Sequence, residues 1–343
     1  PRMRGRQASI APVLWGRVLS AMLGTLAVGG VWWLGRRLFG DRSGWIAGWI
    51  AAVYPGAIAT SALVLSEAPF AALMLAHLGL WAGAWQAARP KTTAALALGA
   101  GLAAGAATLV RPSWLLFAPA AVILGLALGH PRKRHLAIGA WMLAGLVAVM
   151  APWWVRNARV TGHFVPTTLQ VGASLYDGLN DKNTTGASNM EFVEQLESTE
   201  RWQEQYQAEE DSEPFEYRLD GRFRQEALAW ARTHPGRVVW LAVDKFLRMW
   251  NIWPNEPSLS AWPVRLGVLA SYVPVLILGI LGAGRSMRQG WPYVLCWLPA
   301  VYFTGLHVVF VSSIRYRQPA MLGLIVLAAG VLGTRGGGRK DEV

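Results

Sequence analysis

Five charged residues sit where charge is expensive. Glu67, Arg111, Arg156, Arg315 and Arg317 each border a long apolar run, and all but a few other charges lie in polar stretches. Each also stands close to Pro or Trp, in Ser66-Glu67-Ala68-Pro69, Arg111-Pro112, Trp153-Trp154-Val155-Arg156-Asn157 and Arg315-Tyr316-Arg317-Gln318-Pro319. A charge at a bilayer centre costs about 2.5–3.5 kcal/mol on insertion scales, so charges kept beside apolar spans mark sites or anchors. The planar guanidinium fork can hold two phosphate oxygens at once. Four arginines and one carboxylate facing one compartment therefore read as an anion site at the lipid head-group level. Singly, each arginine reads equally well as an anchor that snorkels to lipid phosphate. Glu67 is the lone acid in Trp45–Ala88, a run without a base, so it reads as a site organiser paired inside the bundle. Arg111 is its favoured partner, because both fall at the outer turns of successive hairpins. Ser66 has the right type and place to cap the helix that Glu67 begins.

Other chemistries find little support. No Gly-Lys-Ser/Thr phosphate loop occurs, which argues against ATP hydrolysis by this chain. The six histidines show no metal-ligand spacing, and His307, placed mid-span, is the one that invites mutation. Cys296 is the single cysteine and can form neither an internal disulfide nor a multi-cysteine metal site. No metal and no cofactor are expected.

The elements that must position these residues are apolar helices. Hydrophobic residues make up 53% of the 343 residues and charged ones 15%, against about 25% in a typical soluble domain. Apolar runs at 18–34, 45–88, 93–110, 114–129, 136–155, 266–284, 291–311 and 321–333 give nine crossings, because the 44 residues of 45–88 suffice for two. The expected class is an all-α polytopic membrane protein with about nine transmembrane helices and an extracytoplasmic helical segment of about 100 residues. Its parts are a six-span N-terminal bundle (1–155), the external segment (156–260) and three further spans with a basic tail (261–343).

Orientation follows charge. Alternate short loops carry Arg36, Arg37, Arg42, Arg89, Lys91, Arg132, Lys133, Arg134, Arg285, Arg288, Arg335, Arg339 and Lys340, which the positive-inside rule assigns to the cytoplasm. The formal net charge of +12 thus reports topology and not nucleic-acid binding. The C-terminus is then cytoplasmic, and residues 156–260, with 16 of the 20 acids, lie outside. An odd number of spans puts the N-terminus outside too, yet Arg2, Arg4 and Arg6 carry an inside signature. A further span and loop upstream of Pro1 would reconcile the two, and so would a start at Met3 with one span miscounted. Within the external segment, Phe215, Leu219, Phe223, Ala227 and Trp230 make one helical stripe that ends at His234-Pro235-Gly236. The following half-apolar stretch, 237–253, suits a helix in the outer interface, with its apolar face in lipid and its bases near lipid phosphates. Gly44-xxx-Gly48 and Gly101-xxx-Gly105 suit close helix packing.

The order of motifs resembles the C-type membrane glycosyltransferases, in particular the bacterial branch related to the protein O-mannosyltransferases and the lipid A aminoarabinose transferases. The resemblance rests on Gly35-Arg-Arg-Leu-Phe-Gly40, Leu65-Ser66-Glu67, Ala107-Thr-Leu-Val-Arg-Pro112, Pro152–Asn157, Gly178-Leu179-Asn180, His234–Arg237 and Arg315–Pro319. It implies an integral protein of the bacterial inner (plasma) membrane that moves a sugar from a polyprenyl-phosphate donor to an acceptor glycan, lipid or protein at the outer face. Arg111, Arg156, Arg315 and Arg317 would hold the donor phosphate; Asn157, Asn180 and Tyr316 would contact substrate. The family's catalytic Asp belongs to the external loop before the span that starts near Val18. Residues 1–40 contain no Asp or Glu, so either that loop lies upstream of Pro1 or the chain is inactive, and no residue present is assigned as catalytic base. A sugar-lipid transporter and a non-catalytic membrane subunit are the competing readings. A transporter predicts internal repeats and polar groups at mid-membrane, and here the polar groups gather at the outer edge.

Overall fold

The computed structural model describes residues 10–206, 213–253 and 261–334. They form fourteen α-helices and short 3₁₀ turns, with no strand among the described residues. Five helices are long and apolar enough to cross a membrane: α1 (Ile10–Phe39), α4 (Glu67–Gln86), α5 (Pro90–Val110), α7 (Arg132–Thr161) and α12 (Trp262–Gln289). The expected count of nine is not confirmed among the described residues, where several of the apolar runs form shorter helices for local reasons. The second run breaks into α2 (Asp41–Val53) and α3 (Pro55–Ala62), because Pro55 holds Tyr54 extended at φ −72°, ψ 115°. Pro112 likewise ends α5 and delays α6 to Phe117–Leu128. Part of the 291–311 run is a 3₁₀ turn, which leaves α13 at Leu298–Val309. The last run, α14 (Gln318–Thr334), is apolar on all sides and is buried over Ala320–Val331. A helix apolar all round belongs in a core, and α14 packs against α1, α2, α4, α12 and α13.

Small residues let the backbones approach. A Cβ on Gly101 would lie 1.9 Å from the Met142 carbonyl oxygen, and one on Gly145 2.4 Å from that of Leu98, so α5 and α7 touch backbone to backbone. Gly44 does the same for α2 against Arg36 of α1. The outward faces stay apolar: Leu19, Met22 and Leu26 on α1, and Ile277, Ile280 and Leu281 on α12, are all at least half exposed. Contiguous faces of this kind need an apolar solvent, as befits an integral membrane protein.

The polar segment folds into α8 (Val171–Gly178), α9 (Glu191–Tyr206), α10 (Phe215–Thr233) and α11 (Pro235–Trp250). The anticipated stripe forms, with Leu219, Phe223, Ala227 and Trp230 buried along α10. They pack in two small clusters with Val193 of α9, Leu179 and Leu241 of α11. The expectation for α11 needs correction. Its bases were assigned to lipid phosphates, but Lys245 is turned inward between Leu241 and Met249, while Val239, Trp240, Val243, Phe246 and Leu247 are exposed.

Candidate functional site

Glu67 is the first residue of α4, at a helix N-terminus where the backbone dipole favours negative charge. Ser66 makes no side-chain cap there, contrary to expectation. The carboxylate is 2% exposed and both oxygens are engaged. Arg315 approaches side-on: its Nε donates to Oε1 and its Nη2 to Oε2 at 3.1 Å. Arg111 donates from Nη1 to Oε1 at 3.4 Å. Pairing of Glu67 with Arg111 was anticipated; the closer, two-point partner is Arg315, 248 residues away in the chain.

Two arginines on one carboxylate leave a net positive charge. Arg111 is enclosed, 13% exposed, and lies over the rings of Phe70 at 5.6 Å and Tyr316 at 5.8 Å. Tyr316 stacks in turn on His307, with ring centroids 4.2 Å apart and planes 8° from parallel. The His307 Nδ1 lies 2.8 Å from the Val311 carbonyl oxygen, which ties the end of α13 to the strap of residues 310–317. Arg315, on that strap, remains 45% exposed. The cluster thus has an enclosed inner wall and one open guanidinium. Beneath it, between α1, α3, α4 and α14, a narrow cleft is lined by Gly24, Ala27, Ser61, Glu67 and Pro319.

The other anticipated residues lie elsewhere. Arg317 does not join Arg315. It is 2% exposed, donates from Nη1 to the carbonyl oxygens of Met249 (3.1 Å) and Asn251, and lies 3.7 Å over the Tyr272 ring. Arg156 lies over Trp153 at 5.1 Å and donates to Asn157 Oδ1 at 3.1 Å. It lines an open cleft of about 460 Å³ with Trp153, Gln170 and Glu216. Asn157 is buried and donates to the carbonyl oxygens of Val165 and Thr167, pinning the chain as it leaves α7. Asn180 is buried too, accepting from the amides of Lys182 and Asn183. These two asparagines hold loops. Among the described residues no group of His, Cys, Asp and Glu could hold a metal ion.

Sequence reasoning missed Lys245, which donates to the carbonyl oxygens of Gly178 (2.9 Å) and Val309 (2.8 Å). Burial pushes its ammonium down to about 8, with nearby Asp177 opposing the shift. A signal existed: Leu241, Lys245 and Met249 recur every four residues, so the lysine lies in the middle of a buried face.

Residues 12–155 match the family model described as dolichyl-phosphate-mannose-protein mannosyltransferase. Among solved structures, the archaeal oligosaccharyltransferase AglB from Archaeoglobus fulgidus, in complex with an inhibitory peptide and a dolichol-phosphate, superposes with a TM-score of 0.56 at 14% identity. That match covers 96% of this chain and 41% of that one. ArnT from Cupriavidus metallidurans in the apo state gives a TM-score of 0.36 at 16% identity, covering 91% of this chain and 63% of that one. No curated protein matches. The class is a helical membrane protein that shares the fold of the archaeal oligosaccharyltransferase AglB. The chain spans less than two thirds of the length of either solved structure.

Proposed function

We propose that this chain is the membrane part of a glycosyltransferase that uses a polyprenyl-phosphate sugar donor at the extracytoplasmic face. The observation that carries this reading is the Glu67–Arg111–Arg315 cluster: a net cation with one arginine half open, among helices whose outer faces are apolar. Arg315 and Arg111 bind the donor phosphate and offset the charge that grows on it as the sugar leaves. Glu67 holds both guanidinium groups in place. All of its engaged oxygens face arginines, so it organises the site and does not serve as the base. Arg156, in its own cleft beside Trp153, serves the acceptor side; Arg317 takes no part in phosphate binding, because it is buried and its Nη1 bonds backbone carbonyls.

Binding of decaprenyl phosphate to the chain in lipid nanodiscs tests the reading. Arg315→Ala is expected to weaken it at least tenfold, about 1.4 kcal/mol. Wild-type affinity in both Arg315→Ala and Arg111→Ala would rule out the phosphate site.

In the same reading the C-terminus is cytoplasmic, residues 156–260 are external, and the three divisions at 155 and 260 follow the membrane surface. Cysteines at exposed Ser198 and Met287 test this, since the native Cys296 is buried and silent. An impermeant thiol reagent added outside is expected to label Ser198→Cys only; the reverse pattern would invert the topology.

A further inference from the structure

The strap of residues 310–317 carries Arg315 and Tyr316 but has little regular structure of its own. A side chain on such a segment is only as well placed as the segment. Besides the contacts of Val311, Arg315 and Tyr316 with His307, Glu67 and Arg111, its backbone is held from α11 and the loop after α8. At its start, the buried Lys245 ammonium bonds the carbonyl oxygens of Val309 and Gly178 together. Ser312 Oγ donates to the Lys245 carbonyl oxygen at 2.7 Å, and the Ser312 amide donates to the Gly186 carbonyl oxygen at 3.1 Å. Arg248 Nε donates to the Ser312 carbonyl oxygen at 3.1 Å. At the far end, Arg317 grips the Met249 and Asn251 carbonyl oxygens, one turn further along α11. Arg315 lies between these two anchors.

We infer that Lys245 is a positioning residue: it clamps the strap to α11 and the 178–186 loop, and so sets the angle at which Arg315 meets Glu67. The argument rests on cost as well as contact. A buried lysine without a carboxylate bonded to it is expensive to desolvate, and a fold that needed only packing between Leu241 and Met249 would be better served by Leu or Met. The ammonium supplies what those cannot, two donors directed at carbonyl groups from separate segments. The crowding agrees: a Cβ on Gly178 would lie 3.2 Å from Lys245 Nζ and 3.1 Å from the Phe310 carbonyl carbon, so loop, strap and lysine meet at one point. Because the other face of α11 is apolar and exposed, the clamp also couples the strap to the helix that rests on the membrane surface.

This inference rests on the phosphate-site reading for its purpose but not for its geometry, and the test separates the two. Hydrogen exchange is measured on the full chain in nanodiscs for wild type, Lys245→Met and the milder Ser312→Ala, alongside decaprenyl phosphate affinity. Lys245→Met is expected to speed exchange of the 310–316 amides at least tenfold while α4 and α5 stay protected, and to weaken lipid binding three- to tenfold. Ser312→Ala is expected to do the same more weakly. Unchanged strap protection in the folded variants would overturn the clamp whether or not lipid binds. A loosened strap with unchanged affinity would overturn its positioning role. Failure of wild type to bind decaprenyl phosphate would sink the donor reading itself, and with it the use claimed for the clamp.

Discussion

Arg315 and Arg317 stand two residues apart and serve opposite ends. Arg315 meets a carboxylate, stays half open and shares it with Arg111. Arg317 meets backbone carbonyls and an aromatic face and is closed off from solvent. Both are costly charges at the edge of an apolar bundle. The acceptor separates their roles. A carboxylate partner can yield part of its hold to an incoming phosphate, because the exchange is anion for anion. A neutral backbone carbonyl offers a phosphate no such exchange, so the arginine that bonds it is committed to the fold.

The largest effect is expected at the centre of that comparison. Glu67→Gln removes the counter-ion of two arginines at once. Breaking a buried pair from one side typically costs about 3–5 kcal/mol, and thermal unfolding of the purified chain reads this directly. Glu67→Gln combined with Arg111→Gln is expected to cost less than the sum of the single changes. Strict additivity would show that the two do not interact.

Next come the two arginines themselves. Arg317→Ala is expected to lower the melting temperature more than Arg315→Ala, since it removes a buried donor to two backbone carbonyls and the contact with the Tyr272 ring. Arg315→Ala is expected to reverse the order for lipid-phosphate binding. The same ranking in both assays would erase the distinction.

A smaller effect is expected from pH. The Lys245 ammonium is held down to about 8, below the 10.5 of an unperturbed lysine. Between those values the unfolded chain binds the extra proton, so this group's contribution to stability rises with pH across that window and is lost as pH falls through 8. Comparing wild type with Lys245→Met from pH 7.5 to 10.5 isolates it: the difference in stability is expected to grow with pH, and a flat difference would contradict the depressed value. The smallest effect belongs to Tyr316→Phe, which keeps the ring between Arg111 and His307. Lipid binding is expected to change less than twofold; a large loss would mean that the hydroxyl touches ligand.

Much of the helical layout was legible. The runs of apolar residues set which segments become helices, the spacing from Phe215 to Trp230 sets the buried face of α10, and the glycine pairs set where α1 meets α2 and α5 meets α7. The motif order from Gly35 to Pro319 was legible because each piece is local, and it pointed toward the family model that residues 12–155 match. The number of full crossings was less legible, since proline breaks at Pro55 and Pro112 shorten helices without changing hydropathy.

By itself, the sequence determined that this chain is helical, belongs in a membrane, and keeps a few charges at the ends of its spans. Composition and period suffice for that, because burial of apolar area acts on every residue alike. Only the tertiary structure decided what each charge does. Glu67 could have met any of several arginines; it meets Arg315 because the strap between α13 and α14 returns over the N-terminus of α4. Lys245 could have reached lipid; it turns inward, where its ammonium meets the carbonyl groups of Val309 and Gly178. Such choices depend on the direction of individual side chains across long separations in the chain, and no local period encodes that.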